Sequence, residues 1–278
     1  MTLANTISTP PPDLRILPTG ALYPHETHDS QRLYPLIERL RQESVMINPP
    51  IVAPMDADEQ AFVVLDGANR TSAFAQLEYP HILVQVVAYG SAHVQLETWH
   101  HVVCAWSIDD FIRHLETLEG IVLHEGGDPH GLLLASVQFR DERLIAVSTP
   151  TADPVLRNRS LVELVGVYQR HAVLHRTAFM QPADVWRLHA DGIALVVFPR
   201  YRPADVIAAA RERAFVPPGI TRHIIQGRAL RVNYPLMALR DPAASLEAKN
   251  AALNTWLAGK IDQRQMRYYA ESTYQFDE

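Results

Sequence analysis

The segment Phe62-Val63-Val64-Leu65-Asp66-Gly67 limits the possible architectures of this chain more than any other. Four consecutive apolar residues without polar alternation read as a short strand buried in a core. The run stops abruptly at Asp66-Gly67, and a helix is predicted from about Arg70 to Leu77. A buried strand therefore passes into a helix within a few residues. The flanking segments extend this pattern. Leu14 to Leu22 reads as a strand running into a turn at Pro24. Leu33, Leu36, Ile37 and Leu40 fall at i, i+3, i+4 and i+7, one apolar face of a helix from Ser30 to Glu43 with Asp29 or Ser30 as N-cap. Pro35 inside that pattern predicts a later start or a bend. Pro49-Pro50 precedes a strand at Ile51-Val52-Ala53, and Ile82 to Val87 is another β-rich run. The order strand, helix, strand, strand, helix, strand describes a small α/β domain over residues 14–105, behind a flexible Pro-rich leader over 1–13.

Residues 106–278 read as a second, mixed α/β domain, making the whole an α+β protein. At roughly 150 residues per domain, 278 residues suit two domains. A helix is predicted over Ser107 to Leu118, with Asp109 and Asp110 placed to favour its dipole. Leu132 to Phe139 and Leu144 to Val147 form an expected hairpin. A long helix is expected over 155–176, a strand over Ile193 to Phe198, and further helices over Ala204 to Ala214 and Ser245 to Ala258. Strand character recurs at Ile224-Ile225 and from Leu230 to Val232. An aromatic tail with Tyr268, Tyr269, Tyr274 and Phe276 could dock on its own domain or on a second subunit.

Composition removes several function classes. Hydrophobic residues at 47% and charged residues at 20% supply an ordinary globular core. The net charge of −6, with pI near 6.1, argues against duplex DNA as the chief partner, because phosphate neutralisation needs a basic face. Cys104 is the single cysteine and lies in the apolar run Val102-Val103-Cys104-Ala105-Trp106, so a buried inert thiol is expected. The N-terminal segment lacks a secretory pattern and no run approaches a transmembrane length, which gives a cytoplasmic, membrane-free expectation.

Three polar clusters interrupt apolar runs. Pro24-His25-Glu26 precedes the first helix; Asp66-Gly67-Ala68-Asn69-Arg70 joins the buried strand to its helix; Pro218-Gly219-Ile220-Thr221-Arg222-His223 follows a helix of the second domain. A glycine at a helix start lets backbone N–H groups face an anion, Arg70 can chelate phosphate oxygens, and Asp66 could hold Mg²⁺ or position a nucleophile. A tight turn with Asp66 as N-cap is the plainer reading of the same residues. If Thr221 to Ile225 is extended, Thr221 and His223 share one face and Arg222 takes the other; a solvated basic turn fits equally. Glu26 is either a general base or an ordinary solvated carboxylate. His171 and His175 fall at i, i+4 on the predicted long helix, but no further ligands stand at convincing spacing, and His100-His101 and His25/His28 are no stronger, so no structural metal site is expected.

Taken together, LYPHETHD, PPIVAP and VVLDGANRTSAFAQLEY resemble the N-terminal domain of the ParB/sulfiredoxin-like superfamily, where a His-Glu turn and an Asp-Gly-x-x-Arg loop frame an active cleft. Glu97-Thr98-Trp99-His100 and FVPPGITRHIIQGRALRVNYPL resemble the closing segment and the Thr-Arg-His motif of the free L-serine kinases in that superfamily, and the similarity runs in matching order from about residue 14 to 240. Sulfiredoxin is disfavoured because its reactive cysteine belongs in the loop that here carries Ala68 and Asn69. Chromosome-partitioning ParB is disfavoured because no helix-turn-helix region is evident after residue 105.

The resemblance implies an interdomain cleft in which ATP or ADP, with Mg²⁺, phosphorylates free L-serine or a similar hydroxy-amino acid. It implies Glu26 as general base, with Asp66 orienting the nucleophile or holding the metal. Gly67, Asn69, Arg70, Thr221, Arg222 and His223 would bind phosphates, and His25 and Trp99 the substrate, although a core role for Trp99 also fits. Where those kinases carry His-His after Asp-Gly, this chain has Ala68-Asn69, which cannot supply positive charge. The other readings are a catalytically idle relative that binds a nucleotide or amino acid, and a nucleic-acid-associated ParB-like protein.

Overall fold

The computed structural model describes residues 10–28 and 30–269. Most of the expected leader, Asp29 as an N-cap, and Tyr274 and Phe276 lie outside the described residues. The chain forms two compact units, and neither is continuous in sequence: one takes residues 1–23, 29–95 and 224–278, the other 24–28 and 96–223.

The first unit opens with β1 (Asp13–Pro18), which takes in the last residue assigned to the leader. β2 (Leu22–Pro24), α1 (Ser30–Gln42), β3 (Val45–Met46), β4 (Ile51–Pro54), β5 (Phe62–Asp66), α2 (Ala68–Gln76), β6 (His81–Val86) and β7 (Val94–Thr98) follow. Its main sheet has the order β1-β6-β4-β5-β2. β4 runs parallel to β6 and antiparallel to β5, so β5 is an inner strand, as its unbroken apolar run requires. α1 continues through Pro35 and buries Leu33, Ile37 and Leu40 in the core with Ile16, Phe62, Phe74 and Leu83.

The second unit carries β8 (His100–Cys104), α3 (Ile108–Glu116), β9 (Val122–Glu125), β10 (Leu132–Phe139), β11 (Leu144–Thr149), α4 (Pro154–His171), β12 (Val173–Thr177), α5 (Pro182–Leu188), β13 (Gly192–Val197) and α6 (Pro203–Arg211). Six strands form one sheet in the order β12-β8-β13-β10-β11-β9. β8, expected to close the first domain, is an inner strand of this sheet. Its other core packs Phe111, Leu115, Val137, Leu164 and Tyr168. β14 (Thr221–Ile225) pairs with β7, and both strands pass from one unit into the other along their length; the last elements among the described residues, β15 (Tyr234–Pro235), α7 (Leu236–Arg240) and α8 (Leu246–Asp262), belong to the first unit. α8 packs on β1, where the Asn250 side chain bonds both the N–H and the carbonyl of Ile16.

Two expectations need correction. The long helix ends at His171, and residues 173–177 form a strand paired antiparallel with β8, so His171 and His175 do not share a helical face. His171 instead stacks on Trp106, with ring centroids 5.3 Å apart. Leu230 to Val232 forms no strand. No helix among the described residues is long and apolar enough to cross a membrane.

Candidate functional site

The His-Glu turn and the Thr-Arg-His segment meet inside the second unit. His25 and Val216 exchange backbone contacts, with Val216 N–H donating to the His25 carbonyl at 3.0 Å and Thr27 N–H to the Val216 carbonyl at 3.2 Å. This short parallel bridge carries Glu26 past Gly219, whose N–H donates to Glu26 Oε2 at 3.1 Å. The other carboxylate oxygen takes no hydrogen bond among the described residues. Gly219 has φ +78°, the left-handed region, and a Cβ there would fall 2.0 Å from the Arg176 guanidinium carbon. The glycine is what lets this turn present its amide to the carboxylate.

β14 is extended through Thr221, Arg222 and His223, and their side chains alternate as the period predicts. Thr221 Oγ1 lies 2.7 Å from His25 Nε2, and the His223 ring meets the His25 ring edge-on at 5.6 Å. Arg222, on the opposite side, stacks over Trp99 at 4.2 Å. Trp99 is half-buried and serves as the platform for that cation. His25 is buried at 1% exposure and holds Thr221.

Sequence reasoning missed a buried relay behind this turn. His101 Nε2 lies 3.3 Å from the Gly219 carbonyl, and its Nδ1 lies 2.8 Å from the Tyr168 hydroxyl. A carbonyl only accepts, so Nε2 carries the proton and Nδ1 accepts from Tyr168. Burial holds the His101 imidazolium down to about 4, so the ring stays neutral.

The Asp-Gly-x-x-Arg loop belongs to the first unit. The N-cap of α2 is Gly67 rather than Asp66; it has φ +98° and makes no side-chain cap bond. A Cβ at Gly67 would meet Pro50 at 3.0 Å, so sterics and backbone sign both require glycine. Ala68 and Asn69 open the helix, where the first N–H groups have no intrahelical acceptor. Arg70 Nη1 donates to the Asn48 carbonyl, and its guanidinium also faces Asp66 at 3.8 Å. Asp66 bonds Arg228 as well, a residue five positions beyond His223. Two guanidinium groups thus compensate one carboxylate. Cys104 is fully buried, and burial together with the Asp191 carboxylate pushes its thiol up to about 11, so it is no free nucleophile.

No protein-family model matches the chain. An ATP-dependent L-serine kinase of Staphylothermus marinus is 30% identical over 110 residues, which is 40% of this chain and 42% of that protein. The chain spans less than half the length of the curated relatives it matches. Among solved structures, the C-terminally truncated SbnI of Staphylococcus aureus is similar with a TM-score of 0.69 at 18% identity, over 90% of this chain and 97% of that one. A free serine kinase in complex with AMP is similar with a TM-score of 0.68 at 16% identity, over 83% and 95%. The chain has the ParB-like fold that these two structures share.

Proposed function

We propose that this protein phosphorylates free L-serine to O-phospho-L-serine at the expense of ATP or ADP. The observation that carries the reading is the state of Glu26. One oxygen is fixed by the Gly219 amide, and the other is left to accept a proton from a small hydroxyl. The fold shared with a free serine kinase and the partial similarity to ATP-dependent L-serine kinases support the same conclusion.

In this reading the serine hydroxyl oxygen attacks the terminal phosphorus while Glu26 takes its proton. The bond from that phosphorus to the bridging oxygen breaks, and the nucleotide leaves one phosphate shorter. Such a transfer asks for positioning and charge stabilisation rather than covalent chemistry. Arg222, pre-oriented on Trp99, supplies positive charge, and His25 holds the Thr221 hydroxyl in one orientation. In the first unit, taken by itself, Gly67 and Asn69 form the amide-bearing end of α2, a feature suited to an anion. Arg70 and Asp66 already have partners in the first unit, the Asn48 carbonyl and Arg228, and act as positioning residues. Mg²⁺ ordinarily accompanies a transferring phosphate, bound by one or two carboxylates and the phosphates themselves. Asp66 is already held by Arg228 and Arg70, which does not fit a resident Mg²⁺ site.

The decisive assay incubates the full chain with L-serine, Mg²⁺ and either ATP or ADP and follows phosphoserine by ³¹P NMR. Phosphoserine formed by the wild type and lost in Glu26→Gln is the expected result. Ala68, buried and without a polar side-chain atom, favours one other reading, an idle relative. Nucleotide binding by calorimetry without any phosphoserine would replace the kinase reading by that one.

A further inference from the structure

A second cluster of reactive side chains lies on the face of the six-stranded sheet that α5 covers, and it belongs entirely to the second unit. Cys104 ends β8 and shares this face with Val102, since side chains alternate along a strand. In the antiparallel pairing of β12 with β8, Val173 stands opposite Cys104 and His175 opposite Val102. Directly opposed residues share a face, so His175 lies diagonally across from Cys104. α5 packs Val185 against Val102 and Cys104, and the residue capping the end of α5 is His189. The turn after it enters β13 at Gly192, which pairs with Cys104. A Cβ at Gly192 would stand 3.0 Å from the Trp186 ring and 3.2 Å from the His189 carbonyl, so the glycine lets this turn fold tightly onto the sheet.

Three segments thus deliver three donor atoms to one place. The Cys104 sulfur, a ring nitrogen of His175 and a ring nitrogen of His189 all lie within 4.8 Å of one another. The two imidazoles stack at 4.9 Å with their planes 29° apart, and no hydrogen bond occupies either ring among the described residues. Asp191, two residues beyond His189, brings its carboxylate close enough to help raise the Cys104 thiol.

We propose that Cys104, His175 and His189 bind a divalent transition-metal ion of the zinc class, with Asp191 or a water in the fourth position. One thiolate and two imidazoles are the donor types such an ion prefers. Tetrahedral bonds of about 2.0–2.3 Å place donor atoms roughly 3.3–3.8 Å apart, so the three groups need close by only about 1 Å. His175 is exposed on the edge strand β12 and His189 is carried on a turn, so rotation of both side chains can supply that movement. An ion here would tie β12, β8 and the α5–β13 turn together. None of these residues enters the kinase reading, and the two inferences stand or fall separately.

The test uses the full chain, stripped with a chelator and titrated with Co²⁺ as a spectroscopic substitute for Zn²⁺. One equivalent should produce tetrahedral visible bands and a thiolate-to-cobalt charge-transfer band, and Zn²⁺ should displace both. Cys104→Ser should abolish the charge-transfer band. His175→Ala, an exposed change that leaves the core intact, should weaken Zn²⁺ affinity on the order of tenfold or more. A wild type that shows no charge-transfer band with Co²⁺, or a His175→Ala variant that binds Zn²⁺ as tightly as the wild type, would overturn the site.

Discussion

His25 Nε2 and Thr221 Oγ1 lie 2.7 Å apart, a hydrogen bond between residues separated by 196 positions in sequence. Both are buried, at 1% and 8% exposure. The bond fixes the start of β14, so the alternation that follows sends His223 toward His25 and Arg222 toward Trp99. The hydroxyl and the imidazole therefore act as a splice between the His-Glu turn and the Thr-Arg-His strand.

Removing one partner deletes this buried bond from the other, at a cost of about 1–3 kcal/mol. Thr221→Val and His25→Phe should each destabilise the protein by about that much. The double variant should lose clearly less than the sum, because the contact is counted once. Urea unfolding of the four proteins measures the coupling, and strictly additive losses would mean that the bond contributes nothing.

Glu26→Gln keeps the size of the side chain and an acceptor for the Gly219 amide but removes the proton-accepting carboxylate. Turnover of L-serine should fall by roughly 10²- to 10⁴-fold, the usual range for a lost general base. Nucleotide affinity by calorimetry should change little. Near-normal turnover in the variant would remove Glu26 from the chemistry.

The local pattern of the sequence predicts much of this arrangement and little of its long-range part. Four unbroken apolar residues ending at Asp66-Gly67 did mark an inner strand, and the period of two at Thr221, Arg222 and His223 did assign their faces. The splice to His25 was not legible, since no local periodicity links residues so far apart. The expected helix over 155–176 took in β12, and the pairing of 173–177 with β8 overrides helix propensity there. The same error hid the approach of His175 to Cys104. Asp66 was open to reading as a cap or a metal ligand, and only the fold brings Arg228 to it.

Gly67→Ala should cost about 1–2 kcal/mol, because an L-residue is forced into the left-handed region at φ +98°. Contact with Pro50 at 3.0 Å adds to that penalty, since the nearby Pro50 Cα cannot rotate away. Chemical denaturation measures the loss. A variant as stable as the wild type would show that the α2 turn can relax to ordinary dihedrals.

Acid should loosen the turn that holds Glu26, through His101. Its folded-state value of about 4 lies below the ordinary 6.5, so the neutral ring is the one that folding favours. The associated stability is fully present above about 6.5 and is lost as pH falls from there through about 4. Between about pH 7.5 and 4.5 the loss from this group is about 2–3 kcal/mol, at about 1.4 kcal/mol per pH unit. Protonation would also put a hydrogen on Nδ1, where the Tyr168 hydroxyl now donates, and so disturb the chain from Tyr168 through His101 to the Gly219 carbonyl. Asp205 and Asp141, held below the usual carboxylate range by Arg202 and Arg143, also lose stability in acid, so the comparison must be between variants. His101→Gln keeps a donor for Gly219 and cannot titrate. Its unfolding free energy should decline less than that of the wild type over the same pH interval, by about 2–3 kcal/mol. Parallel declines in the two proteins would show that the buried imidazole is not what makes the fold sensitive to acid.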